Sequence, residues 1–191
     1  MADAGRVIAG TARGIRLDAP GPGTRPLADR VKQTLFAILE PLLEGAHVLD
    51  LFAGSGAAGI EALSRGAEGA TFVEHDPGAV RVIATNLARS GLAGPHAEVV
   101  REDALRWLRR ADARPHVRPF DVVIVDPPYD QTKLLVQALE AVAPLVVPGG
   151  RVVAKHFWRD TPPDTVSLLA SERVRRFGET ALTFYRRQED R

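Results

Sequence analysis

Cysteine is absent from the 191 residues, which excludes a disulfide framework and any thiolate metal site. No apolar run approaches the roughly 20 residues a membrane-spanning helix needs. The opening Met-Ala-Asp-Ala-Gly lacks the apolar stretch of a signal peptide, so a cytoplasmic protein without membrane partners is expected. Net charge is nearly absent too, at +1, and bulk electrostatics therefore does not announce nucleic-acid binding. Lysine is scarce: Lys32, Lys133 and Lys155 stand among 25 basic residues. What is present is ordinary for a globular chain, with 45% hydrophobic and 26% charged residues, and this argues against disorder. The length fits one domain with a substantial core.

Short β-prone pieces around Gly10 and Gly14 within Arg6–Leu17 predict an N-terminal hairpin, and the Pro- and Gly-rich segment Pro20–Pro26 a linker. The expected plan is a hairpin and linker over 1–26 and a main domain over 27–191. Val31, Leu35, Ile38, Leu39 and Leu42 recur at helical spacing, which predicts a helix over 29–43. Apolar strands at 47–52, 70–75, 97–101, 121–125 and 151–155 then alternate with helices at 57–65, 77–90, 103–111 and 132–146. That alternation implies an α/β fold with a parallel sheet and right-handed crossovers. Beyond 155 the rhythm changes: runs at 166–177 and 180–186, joined through Gly178, predict an antiparallel hairpin that finishes the sheet.

Two predicted strand ends carry the chemistry. Asp126-Pro127-Pro128-Tyr129 follows the apolar run 120–125, and two prolines fix φ and remove two donors. The resulting stiff corner holds a carboxylate, a carbonyl and an aromatic ring in fixed relation. A planar substrate with an NH₂ group fits that set, donating to Asp126 and to the Pro127 carbonyl and stacking on Tyr129; the plainer alternative is a strand-ending turn. At the other end, Val48–Ala53 empties into Gly54-Ser-Gly56-Ala-Ala-Gly59 and a helix, a nucleotide-type cradle of glycines and free N–H groups. Glu74 arrives near the next strand end, as a dinucleotide fingerprint expects. Asp50, however, lies inside the strand before the loop. An anion there opposes a pyrophosphate and suits a cationic ligand such as a sulfonium; alternatively it caps the glycine turn. Asp76-Pro77 reads as the N-cap and first turn of a helix, which leaves Glu74 as the ligand candidate.

Asp50-Leu-Phe-Ala-Gly-Ser-Gly56, Glu74 and Asp126-Pro-Pro-Tyr129 together resemble class I S-adenosylmethionine-dependent methyltransferases that modify exocyclic amines. The strings Arg25–Phe36, Gly59–Ala67 and Phe72–Asp76 narrow the resemblance to the bacterial 16S rRNA guanine-N2 methyltransferases of the RsmD type, over roughly residues 6–187. It implies a Rossmann-like, mostly parallel seven-stranded sheet and S-adenosylmethionine as cofactor, with S-adenosylhomocysteine as product. It also implies 16S rRNA or a small-subunit assembly intermediate as partner, and a monomer is expected. The implied cofactor contacts are Asp50, Phe52, Gly54, Gly56, Glu74, Asp103, Ala104 and Asp126, and the catalytic set is Asp126, Pro127 and Tyr129. Leu27 stands where the family usually has Thr, Ala37 where it often has Asn, and Lys155-His156 where an acidic residue commonly follows the fifth strand.

Roles follow from the chemistry. Glu74 takes two ribose hydroxyls, since one carboxylate accepts two hydrogen bonds. Asp103 either accepts from the adenine amine or caps the helix that starts at Ala104. Arg25 pairs with the cofactor carboxylate, a phosphate or Asp29. For RNA, Arg6, Arg13 and Arg16 on an N-terminal hairpin standing as an appendage are the expected grip, with Arg25, Pro128 and Tyr129 also facing substrate. Arg173, Arg175, Arg176, Arg186 and Arg187 form a second basic cluster; both clusters either face phosphates or are solvated. Three rivals remain: a methyltransferase of another amine or amide nitrogen (DNA adenine-N6 or protein glutamine), a nicotinamide-dependent oxidoreductase, and a non-catalytic RNA-binding module.

Overall fold

The computed structural model describes residues 2–21, 28–113 and 118–189; Arg25, Leu27 and most of the expected linker lie outside the described residues. Two compact units divide at residue 103. The first begins with an antiparallel hairpin, β1 (Ala2–Arg6) and β2 (Arg16–Ala19). It continues with α1 (Asp29–Leu39), β3 (His47–Leu51), α2 (Ala57–Ser64), β4 (Gly69–Glu74), α3 (Pro77–Ser90) and β5 (Ala97–Arg101). β4 lies between β3 and β5 and is parallel to both. Val48, Leu49, Leu51, Phe72 and Val73 are buried, as strands covered on both faces require.

The second unit holds α4 (Ala104–Asp112), β6 (Phe120–Val125), α5 (Thr132–Val142), β7 (Val146–Phe157), β8 (Thr165–Val166), β9 (Leu169–Phe177) and β10 (Thr180–Arg187). β6 and β7 are parallel, and β10, β9 and β8 follow antiparallel. The fold is the Rossmann-like, mostly parallel α/β arrangement that was expected, and its antiparallel C-terminal part gains one strand because the two-residue β8 pairs with the start of β9. Two helices stop short of their expected ends. Pro41 and Pro144 lack the N–H an α-helix needs, so α1 and α5 give way to 3₁₀ turns at Glu40–Leu42 and Ala143–Leu145.

The N-terminal hairpin is not an appendage. The loop between its strands is stitched to α2: the buried Glu61 carboxylate accepts from Ile8 N (2.7 Å) and Ala9 N (3.1 Å). Ser64 Oγ accepts from Ala12 N (2.9 Å) and donates to the Ala9 carbonyl (2.6 Å). A Cβ at Gly10 would lie 1.6 Å from the Ser64 carbonyl oxygen, so only glycine fits there. Buried Asn86 on α3 bonds the Asp18 backbone at both N and O, and its amide also donates to Ser55 O in the glycine loop, each at 2.9 Å. Ala4, Val7, Ala12, Leu17 and Ala19 complete the seam. Removing 1–18 would thus expose buried polar groups beside the glycine loop instead of sparing it.

Candidate active site

In the first unit, register aligns the carboxyl ends of three parallel strands: Leu51 faces Val73, and Glu74 faces Arg101. Ligands of open α/β sheets bind beyond such ends. Phe52 leaves β3 with φ of 59°, a conformation uncommon for a bulky residue and one that turns the chain sharply into the loop. Gly56, at φ 74°, starts α2, and its N–H donates to the Ala53 carbonyl (2.7 Å). Gly59 packs on β4 so closely that a Cβ would meet the Phe72 ring at 2.3 Å. Glycine here lets helix and strand approach, which is its third role in such fingerprints.

Two carboxylates tie this loop down. Asp50, 2% exposed, accepts from Gly59 N at 2.9 Å and so caps the first turn of α2. Glu74, 7% exposed, accepts from Gly54 N (2.9 Å) and Asp76 N (2.9 Å), with His75 Nδ1 3.1 Å away. Asp76 caps α3 through Ala79 N (2.7 Å). Asp103 is exposed, two residues past the end of β5; Ala104, the first residue of α4, is buried.

The donor set fits S-adenosylmethionine. A Cβ at Gly54 would find nothing nearer than the Phe52 carbonyl at 3.9 Å, so the loop is open there, whereas at Gly56 it would meet Ile83 at 3.1 Å. The cradle is floored by apolar side chains and rimmed by acids, which suits a ribose diol and a cation and opposes a pyrophosphate.

In the second unit, Asp126 leaves the end of β6, and parallel register sets Val125 beside Ala154. The next residue of β7 is therefore Lys155, whose Nζ donates to Asp126 Oδ2 at 2.7 Å. Burial pushes the Asp126 carboxyl above the ordinary carboxylate range, and Lys155 offsets only part of that rise. Burial likewise works against the Lys155 ammonium, but Asp126 and Tyr129 outweigh it, so its pKa sits above the ordinary lysine value. With 27% of the Asp126 side chain exposed and a direct 2.7 Å contact, the ionised pair is the favoured state. Lys155 Nζ also lies 5.2 Å from the Tyr129 ring centroid. The Tyr129 hydroxyl shares a 2.6 Å hydrogen bond with Thr180 Oγ1 of β10. Pro127 is buried and Pro128 exposed, and the Pro128 carbonyl accepts from Gln131 N (3.1 Å) to close the turn.

Sequence reasoning singled out Lys155-His156 as a departure and missed what each does. Lys155 orients the corner's carboxylate and ring. His156 is buried, with Nδ1 2.8 Å from the Phe157 carbonyl and Nε2 2.8 Å from Thr183 Oγ1, a pattern that a neutral Nδ1–H tautomer satisfies. Of the N-terminal arginines, Arg6 pairs with Asp29 (3.5 Å) and Arg16 with Asp3 (3.0 Å).

Glycine loop, acid-tipped strands and proline corner define a class I S-adenosylmethionine-dependent methyltransferase. The chain belongs to the family described as Conserved hypothetical protein 95, whose model matches residues 5–186, and this is the RsmD family that its motifs resemble. A putative rRNA methyltransferase of Bacillus subtilis is 38% identical over 186 residues, 96% of this chain and 99% of that protein. The ribosomal RNA small subunit methyltransferase D of Escherichia coli is 44% identical over 125 residues, 65% of this chain and 60% of that protein's length. A solved putative methyltransferase from Escherichia coli, 33% identical, superposes with a TM-score of 0.79 over 97% of this chain and 98% of its own. The oxidoreductase alternative is not favoured.

Proposed function

We propose that this protein transfers a methyl group from S-adenosylmethionine to the exocyclic N2 amine of a guanine in 16S rRNA, and that the Asp126–Tyr129 corner holds that amine. The observation that carries the assignment is the Lys155–Asp126 contact. It fixes a carboxylate through Oδ2 and leaves Oδ1 as acceptor for an amine N–H. The Pro127 carbonyl takes the second N–H. Together they favour a pyramidal nitrogen whose lone pair is no longer delocalised into the ring. When bound, S-adenosylmethionine supplies an electrophilic sulfonium methyl. As the nitrogen gains positive charge, the preorganised Asp126 carboxylate stabilises it, an interaction stronger in the transition state than in the ground state. Tyr129, held by Thr180 and Lys155, stacks on the guanine and replaces stacking lost when the base leaves its RNA neighbours, about 1–3 kcal/mol per base. Glu74 accepts from the ribose hydroxyls and Asp50 keeps the loop and helix in register. A soluble monomer acting on an assembly intermediate is part of this reading.

Small ribosomal subunits lacking the modification, incubated with the protein and methyl-labelled S-adenosylmethionine, should yield label on guanine N2 of 16S rRNA. Label on adenine N6 or on protein instead would reassign the substrate.

A further inference from the structure

Beyond the corner, the second unit carries an aromatic and cationic cluster that the chemistry above does not use. Trp158 follows β7, and its backbone N–H donates to the Glu179 carbonyl (3.0 Å). The half-buried indole carries the Arg176 guanidinium 3.5 Å from its ring centroid and that of Arg159 at 4.9 Å, with the Phe157 ring 6.3 Å away. Arg176 Nε donates to the Gly178 carbonyl (2.9 Å), which fixes the guanidinium plane over the indole and leaves its terminal nitrogens for a ligand. Arg173 and Arg175 are exposed on β9, where strand alternation puts them on the face of Phe177 and Arg176 on the other, so the two sets flank a strand edge that β8 covers only at Leu169 and Ala170. Glu172, the single acid of that strand, is already engaged by Arg151 (3.2 Å) and Arg186 (4.0 Å).

The cluster connects to the corner through one residue. Thr180, bonded to Tyr129, pairs across β10 with both Phe157 and Phe177. A path of rings and guanidinia thus runs from the place assigned to the target base to the tip of the C-terminal hairpin. By contrast, Arg6 and Arg16 sit in ion pairs with Asp29 and Asp3 that a phosphate would have to displace.

Resting on the RNA-methyltransferase reading, we propose that this tip grips single-stranded RNA flanking the target guanine. A neighbouring base extends the Trp158–Arg176 stack on the guanidinium plane, and Arg159, Arg173 and Arg175 take backbone phosphates. Planar cations over an aromatic ring recognise unstacked bases, and neighbouring arginines supply the charge that phosphates require.

The test uses a fluorescent single-stranded RNA, unmodified small subunits and S-adenosylhomocysteine titration. The triple variant Arg173→Ala, Arg175→Ala, Arg176→Ala should lower the slope of log affinity against log salt by about 1.4, for two lost phosphate contacts at roughly 0.7 each. Its KM for subunits should rise about tenfold or more, with kcat and S-adenosylhomocysteine affinity unchanged. Trp158→Ala should weaken RNA binding by about tenfold, the scale of one lost stacking platform, and Trp158→Phe should restore most of it. An unchanged salt slope and KM in the triple variant would overturn the proposal. So would a loss found instead in Arg6→Ala, Arg13→Ala, Arg16→Ala. If the unaltered protein bound S-adenosylhomocysteine yet methylated no subunit, the RNA reading itself would be what failed.

Discussion

Replacing Glu61 with alanine should destabilise the first unit more than any surface change, and the size follows from its partners. The carboxylate is fully buried on α2 and accepts from Ile8 N, Ala9 N and Arg65 Nε at 2.7, 3.1 and 2.7 Å. Alanine leaves two backbone donors without acceptors, at about 1–3 kcal/mol each. Arg65 keeps Glu40 and its place over the Phe36 ring, so its loss is smaller. The total should be about 3–5 kcal/mol, the range for breaking a buried pair. For a chain of this size each kcal/mol moves Tm by about 2–4 °C, so the expected fall is about 6–20 °C. Glu61→Gln, which keeps shape and one acceptor, should fall between. Circular-dichroism melts measure the shift, and limited proteolysis reports whether the 7–15 segment comes loose. A Tm within roughly 2 °C of the parent, with that segment cut freely, would refute the reasoning and return the hairpin to the status of an appendage.

Two further outcomes can be measured alongside. Asp126→Ala should cut turnover about 10²-fold or more, the scale of one preorganised charge-stabilising group, while S-adenosylhomocysteine affinity by calorimetry changes little; near-normal turnover would make the corner a structural turn. Burial pushes the His156 pKa below its ordinary 6.5, so the unfolded chain binds the proton first as pH falls; stability should be full above 6.5 and decline below it. His156→Asn, which does not titrate, should flatten that acid limb of a denaturation series, and an identical limb would place the titration elsewhere.

The sheet was legible because its strands are continuous apolar runs punctuated by glycines and an Asp-Pro cap, and α3 begins and ends where those signals fall. Helix ends were misjudged where apolar spacing continued past a proline, at Pro41 and Pro144. Asp50 could be read two ways, and its bond to Gly59 N shows the turn-capping role. Lys155 was noticed without its purpose, because its contact with Asp126 is made by parallel register between segments 29 residues apart, which local pattern does not encode. The hairpin's attachment left equally little trace: three alanines, a glycine, Val7 and Leu17 make the seam, and Glu61 and Ser64 look like ordinary polar helix residues until their partners are known.

The Lys155–Asp126 contact has a consequence for how RNA approaches. A bare carboxylate at the proposed reaction centre would repel a chain of phosphates over a distance comparable to the screening length, about 8 Å at physiological salt. Here an ammonium from the neighbouring strand already balances it at 2.7 Å. At longer range a polyanion therefore meets a small dipole with no net charge, while an amine close to the free oxygen still meets an acceptor. Under the proposed function, the one lysine on β7 thus lets the protein keep an acid beside the methyl acceptor and hide that acid from the backbone of an RNA substrate.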